Sequence, residues 1–454
     1  MTPVTKSGRP PGPRGSLFAG SLRELAARPP GFLLDVAREY GDIAAFRLGP
    51  KWRFLVSHPD LIEQVLVTDA KHYVKHIGAR AFKPILGNGL ITSEGDFWLR
   101  QRRLSQPAFL RSRVLKYSPV MADLTNGMLA TWADGQRVDV QFEFNSLASA
   151  IALKTLFGLD DPTDRKGFTD SLQVALHQVG NRFRKLLRWP LWAPTTGNLR
   201  LRRAVAHLDR VIAGVVAAGR ARTESGDDLM SRLLVARDED GGGMTDRQLR
   251  DEAMTLYLAG HETTALVLTW SWFLLATNPE AEEKVVGEWG RVLGGRAATA
   301  DDLPRLPYTD SVIAESMRLY PPAYVIGREA TCDMELGGYR VRKGYTVIMS
   351  QWVSHRDSRY FPDPEVFQPE RWLGGLSGRI PRYAYYPFGG GPRMCIGNAF
   401  ALAEVAIVLA TVGQRYRFTV ESSSPPELDP QITLQPRGGI PAVLSRRTPG
   451  NLRP

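Results

Sequence analysis

The sequence predicts a mainly α-helical protein with small β-sheets, and three observations carry that expectation. From about Leu61 to Val292, apolar residues recur at three- and four-residue steps, the spacing of helices that bury one face. Short strand-like runs, Ala44–Leu48, Trp52–Val56 and Glu335–Met349, are punctuated by Gly49-Pro50 and by Gly337-Gly338, both of which read as turns. One helix is also unusually long. Thr245 and Gln248 have the spacing of a capping box, Pro279 marks the end, and the roughly 33 residues between them would span about 50 Å.

The chain opens on Arg9-Pro-Pro-Gly-Pro-Arg14, a stiff, extended segment. A single domain over 1–454 is expected. It would comprise a proline-rich segment at 1–30, a β-rich part drawn from 31–60, 320–350 and 430–445, and a helical part from 61–320 and 396–415. A strand pair is expected near Ile432–Leu444. No internal repeat or long flexible linker interrupts the pattern.

At 454 residues and 43% hydrophobic, the chain can bury a large core. No stretch approaches the roughly 18 apolar residues of a membrane-spanning helix, and the residues through Pro30 contain no secretory core, so a cytoplasmic protein is expected. Two cysteines, Cys332 and Cys395, make no disulfide framework and suit a reducing compartment. The net charge of +11 calls for an acidic partner. Between Asn181 and Arg222 there are ten Lys or Arg against one acid, Asp209. Zinc-finger spacing and aromatic-basic strand signatures are missing, so nucleic acid is not the expected partner.

The residues that carry chemistry lie in a few segments. Phe388-Gly-Gly-Gly-Pro-Arg-Met-Cys-Ile-Gly397 is a loop whose glycines can approach a flat ligand closely. Cys395 then precedes the helical run Asn398–Val412, where a thiolate receives backbone N–H groups and the positive end of the helix dipole. Arg393 offers a fork to an anion, and Phe388 can pack beside the sulfur. Taken alone, a free cysteine is more often a small buried hydrophobe. The long helix carries Ala259-Gly-His-Glu-Thr-Thr264, in which Gly260 costs about 1 kcal/mol relative to Ala and asks for a reason. Glu315 and Arg318 share one helix face and are followed by Pro369-Glu-Arg-Trp372. Trp98 and Arg102 stand in Trp-Leu-Arg-Gln-Arg, and Arg328 in Ile-Gly-Arg-Glu-Ala. His355 and Cys332 lack a ligand-like context and are read as structural.

These segments, in this order, resemble the cytochrome P-450 family. Its haem loop reads Phe-x-x-Gly-x-Arg-x-Cys-x-Gly, which Phe388, Gly391, Arg393, Cys395 and Gly397 match at every fixed position. The resemblance spans essentially the whole chain and implies the cytochrome P-450 fold, with the long central helix over haem b. Cys395 would be the metal ligand. Trp98, Arg102, Ala259, Arg328, Phe388, Arg393 and Gly397 would hold the cofactor, the arginines on its propionates. Gly260 would leave room for dioxygen, while Glu262 and Thr263 manage protons. Glu315, Arg318 and Arg371 would form a structural lock on the cysteine loop.

The implied function is a monooxygenase that inserts one atom of dioxygen into an apolar substrate. The general likeness is to bacterial fatty-acid hydroxylases and terpene oxidases, resting on Leu86–Gly95 and the Pro-Pro-Gly-Pro start. The stretch after Cys395 is too short for a flavin reductase domain, so a separate ferredoxin or flavin-containing reductase is expected as electron donor. The rivals are a ligand-binding protein without turnover and a peroxide-using enzyme. Both are disfavoured by the intact Glu262–Thr263 pair. Trp189-Pro-Leu-Trp-Ala-Pro194 is expected to form a lid, and the flanking Arg188 and Arg200 allow peripheral contact with an anionic membrane. Packing of both tryptophans into the core is the alternative.

Overall fold

The computed structural model describes residues 8–159, 162–184, 190–221, 226 and 228–447. Its longest element is the expected central helix, Asp246–Thr277. Both halves of the capping box form: Thr245 Oγ1 accepts from the Gln248 N–H, and Gln248 Oε1 accepts from the Thr245 N–H at 2.8 Å. Pro279 lacks the N–H that would continue the ladder and instead starts the next helix, Pro279–Leu293.

Two separate apolar clusters grip this helix. Its first part, Leu249 to Leu258, packs with Leu153, Phe168 and Leu208. Its last part, Ala265 to Leu275, packs with Trp289, Val312 and Leu409. The six residues between, Ala259–Thr264, contribute to neither cluster. They sit on the seam, and a cavity opens there.

The main sheet has five strands: β1 Ile43–Leu48, β2 Lys51–Val56, β3 Tyr73–Lys75, β4 Ile326–Ala330 and β5 Thr346–Met349. Their order is β1-β2-β5-β4-β3, antiparallel except for the β2–β5 pair. The Pro-rich entry runs extended beside β1, where Pro11 accepts from the Ala45 N–H at 2.9 Å and the Arg9 guanidinium lies 4.1 Å from the Trp52 ring centre. Gly337 and Gly338 do turn a hairpin, between Met334–Leu336 and Tyr339–Val341.

Three local expectations change. Residues 31–60 are not uniformly β-rich, because Pro29–Tyr40 is a helix that starts at a proline and buries Phe32, Leu33 and Val36 at helical spacing. The expected strands near Ile432–Leu444 exist but do not pair with each other. Leu434–Pro436 pairs with Leu428–Pro430, while Pro441–Arg446 lies between Arg137–Asp139 and Tyr416–Val420. Cys332 is exposed on the turn after β4 and is not a packing residue. Among the described residues no helix is long and apolar enough to cross a membrane.

The element that fixes the cysteine loop is the fully buried Glu315. Its carboxylate accepts five hydrogen bonds: two from Arg318, at 2.8 Å each, and one each from Arg371 Nε, the Gln368 N–H and Trp372 Nε1. Arg318, equally buried, also donates to the carbonyls of His355, Pro364 and Val366. From there the connection to the loop is short. His355 Nε2 accepts from the Tyr386 N–H at 3.0 Å, Tyr386 accepts from the Gly389 N–H, and Phe388 accepts from the Cys395 N–H. Burial beside Arg318 and Arg356 holds the His355 pKa down at about 3, so this ring is neutral and its acceptor nitrogen stays available. His355 is structural, as the sequence suggested.

Removing one partner of a buried charge pair leaves the other uncompensated, a loss of about 3–5 kcal/mol. Glu315→Gln, which keeps the shape but not the charge, is expected to lower the unfolding free energy by that order in urea titrations. A loss under about 1 kcal/mol would show that the arginines do not depend on the carboxylate.

Candidate active site

The cysteine loop is built against the protein before any ligand is considered. Gly391 has φ +64°, and a Cβ there would fall 1.8 Å from the Leu66 carbonyl oxygen; a Cβ at Gly390 would strike the Tyr383 ring. Two of the three glycines therefore serve packing of the loop on its neighbours, and Gly389 alone of the three lines the cavity. The loop ends at Gly397, the N-cap of the helix Asn398–Gly413.

Between this loop and the central helix lies a cavity of about 500 Å³. Its walls bring together the residues expected to hold the cofactor or to manage dioxygen and protons: Trp98, Arg102, Ala259, Gly260, Glu262, Thr263, Arg328, Phe388, Arg393, Cys395 and Gly397. Cys395 counts as exposed by surface area, yet burial pushes its thiol pKa up. The free face of its side chain is cavity wall. The Gly397 N–H and the Arg102 charge pull the other way, toward thiolate. A Cβ on Gly260 would meet no atom within 4 Å beyond the backbone of its own helix turns, so the glycine faces open space.

Two of the cations around the cavity lack counter-charges among the described residues. Neither Arg102 nor Arg328 has a carboxylate within ion-pair distance among the described residues, and burial lowers the pKa of both. Arg328 donates only to the adjacent Gly327 carbonyl among the described hydrogen bonds. Two half-buried guanidinium groups facing an apolar cavity fit an anionic ligand that would neutralise them. With a thiol on one wall and a side-chain-free helix face among the others, this donor set fits a flat, dianionic, metal-bearing cofactor such as haem.

Arg393 is the exception. It is ion-paired to Glu94, donates to the Ser93 carbonyl at 3.0 Å and lies 3.7 Å over the Trp98 ring centre. Glu94 also accepts from the Lys75 N–H at 2.7 Å. The Lys75 ammonium, drawn down to a pKa of about 7 by burial first and then by Arg393, donates to the Leu90 carbonyl and lines the same cavity. Sequence reading missed Glu94 and Lys75. Lys75 lies outside the recognised patterns, and Glu94 lies inside Leu86–Gly95, which carried no role for it; they are placed by strand β3 and the turn ahead of the helix Gly95–Ser105.

Glu262 and Thr263 both line the cavity, but no hydrogen bond joins them among the described residues. Thr263 Oγ1 donates to the Ala259 carbonyl at 2.6 Å, the usual back-bond of a helical threonine. Glu262 turns toward Thr433 and Gln435 near the chain's end. Of the expected lid, Arg188 and Trp189 lie outside the described residues. Trp192 is 78% exposed and so does not pack into the core, and Arg200 lies in the helix Thr196–Ala221.

A model of the family "Cytochrome P-450" matches residues 10–442. Relatives include the cyclooctatin synthase of Streptomyces melanosporofaciens, 38% identical over 93% of this chain and 92% of its own. The cyclooctat-9-en-7-ol 5-monooxygenase of the same organism is 36% identical, covering 92% of each chain. The pentalenene oxygenase of Streptomyces avermitilis is 33% identical over 95% of this chain and 96% of its own. The crystal structure of the cytochrome P-450DA heme domain superposes with a TM-score of 0.89, at 24% identity, over 98% of this chain and 99% of that one.

Two cysteines with opposite surroundings allow a direct check. Cys395→Ser is expected to abolish the red-shifted Soret band of the ferrous carbonyl complex, while Cys332→Ser keeps it. Loss of that band in the Cys332 variant alone would reverse the assignment.

Proposed function

Because this chain belongs to the cytochrome P-450 family, and so is a haem-thiolate monooxygenase holding haem b through a cysteine, we propose that Cys395 is that ligand and that the substrate is a terpenoid. When bound, haem supplies the centre at which dioxygen is activated and one of its atoms is inserted into substrate. Arg102 and Arg328 would neutralise the propionates, with Arg393 and Trp98 beside them, and Phe388 would pack near the sulfur. Gly397 directs its N–H at the thiolate and moderates its basicity. The open space at Gly260, beside Ala259, would leave room for dioxygen and substrate once the cofactor is held. Glu262 carries protons from solvent into the cavity, and the Thr263 hydroxyl orients them.

The observation that carries the substrate reading is the wall chemistry. Phe82, Leu86, Leu90, Leu156, Leu256 and Val267 supply aliphatic and aromatic surface, which suits a compact hydrocarbon skeleton desolvated on entry. The relatives whose names print a terpenoid substrate or product support the same class. Cyclooctat-9-en-7-ol and pentalenene are expected to give a substrate-type Soret shift at concentrations about tenfold below dodecanoic acid, a difference of about 1.4 kcal/mol. Tighter binding of the fatty acid would overturn the terpenoid reading.

Members of this family in bacteria draw electrons from redox partners. We place the docking of an acidic ferredoxin on the face behind the cysteine loop. There the helix Arg111–Ala130 packs on the cysteine helix through Tyr117 and Phe400, and Arg111 and Lys116 are exposed in its first turns. With a net charge of +11, association is expected to weaken steeply as salt rises, and Arg111→Glu with Lys116→Glu to flatten that dependence. Stopped-flow reduction rates that ignore ionic strength would contradict this docking.

A further inference from the structure

The hairpin Leu428–Pro436 supplies part of the cavity wall, Ile432 and Thr433, and also reaches Glu262. Alternation along Thr433-Leu434-Gln435 sends Leu434 to one side and its two neighbours to the other. Leu434 sets the position of the hairpin. Its carbonyl accepts from Trp270 Nε1 at 3.0 Å, and its N–H donates to the Pro322 carbonyl at 3.0 Å. Trp270 is itself immobilised, fully buried and stacked on Tyr320 with ring centres 4.0 Å apart.

Thr433 and Gln435 then converge on a single atom. Thr433 Oγ1 donates to Glu262 Oε1 at 2.8 Å, and Gln435 Nε2 donates to the same oxygen. Gln435 Nε2 also reaches Thr433 Oγ1 at 3.2 Å. The carbonyl end of Gln435 accepts from Gln141 Nε2 at 3.2 Å, and its N–H₂ end is turned to the acid. Thr433 is buried and Gln435 half-buried. No ion pair ties down the acid among the described residues.

We infer that this hairpin is a positioning device for Glu262: Thr433 and Gln435 fix the direction in which the carboxyl group faces, and thereby whether its proton enters the cavity. The inference rests on the reading of Glu262 as the proton carrier. With two donors on Oε1, the proton of the neutral acid must sit on Oε2, the oxygen with no protein donor among the described residues. Thr263 does not compete for Oε1, because its hydroxyl is committed to the Ala259 carbonyl. Each turnover consumes two electrons and two protons from outside; one oxygen atom enters substrate and the other leaves as water. Glu262 gives up the Oε2 proton and regains one from solvent, with no net change. If the carboxyl swings away, the same electrons and protons leave instead as hydrogen peroxide.

Thr433 and Gln435 are positioning residues and not catalytic ones, so the test reads proton delivery and not folding. The holoenzyme, driven by NADPH through a ferredoxin and its reductase, is given cyclooctat-9-en-7-ol as the probe. Hydrogen peroxide released per oxygen consumed is measured together with the solvent isotope effect on oxygen consumption. Neither readout requires that the probe be hydroxylated. Thr433→Val with Gln435→Met, which removes both donors at similar volume, is expected to raise the peroxide share about threefold or more and to change the isotope effect. Haem content and the carbonyl spectrum should remain those of the wild type, and Thr433→Ser, which keeps the hydroxyl beside an unaltered Gln435, should behave as the wild type does. An unchanged peroxide share and isotope effect in the double variant would overturn the inference. Glu262→Gln separates the two readings. If it too leaves both quantities unchanged, the proton-carrier assignment fails; if it alters them while the double variant does not, only the tether fails. Should the double variant lose haem, Gln435→Met alone decides, by the same criterion.

Discussion

A helix 32 residues long must keep its backbone ladder intact from end to end, and here it does so while crossing two different apolar clusters. The rest of the site depends on that continuity. The two clusters immobilise the helix on either side of Ala259–Thr264, so those residues need not pack and can carry a glycine, an acid and a hydroxyl instead. The active cavity is thus the place where two cores fail to meet. Its floor is as stiff as the helix that crosses it, which is what a preorganised site requires.

The opposite wall is shaped differently. The cysteine loop contains little regular structure, and its shape is imposed from outside: by the Leu66 backbone against Gly391, by the Tyr386 N–H on His355, and through His355 by the Glu315 carboxylate with its five donors. The side walls hold Arg102 and Arg328 with no carboxylate at ion-pair distance among the described residues. Such sites are costly in an empty protein, and the cost is relieved by an anion of the right size. Fold stability and cofactor affinity are therefore drawn partly from the same residues.

Most of this was legible wherever the signal was local. The capping box of Thr245 and Gln248, the stop at Pro279 and the loop from Phe388 to Gly397 are short patterns whose physics is complete within a few residues. Composition and periodicity also sufficed for the fold class. What could not be read were contacts made across long stretches of chain. Glu94 meets Arg393 across 299 residues, and Gln435 meets Glu262 across 173. Nothing in Leu86–Gly95 or Ile432–Pro436 taken alone marks either residue. The glycines of the cysteine loop gave the right location for a partly wrong reason, since Gly390 and Gly391 make room for protein atoms. The helix Pro29–Tyr40 was lost among neighbouring strand signals, although Phe32, Leu33 and Val36 have helical spacing.

The sequence separations in the Glu315 cluster also bear on the order of assembly. Its partners Arg318, Arg371 and Trp372 lie 3, 56 and 57 residues away, whereas the hairpin that meets Glu262 closes a loop of 171. Closing the longer loop costs only about 1 kcal/mol more by chain statistics, but that cost falls on contacts that bury far less charge. Low contact order thus favours early formation of the frame behind the cysteine, with the distant hairpin docking later. A chain that assembles in that order holds the Glu315 frame before the hairpin meets Glu262, while the contacts of the cysteine loop with Leu66 and Glu94 close over still longer stretches.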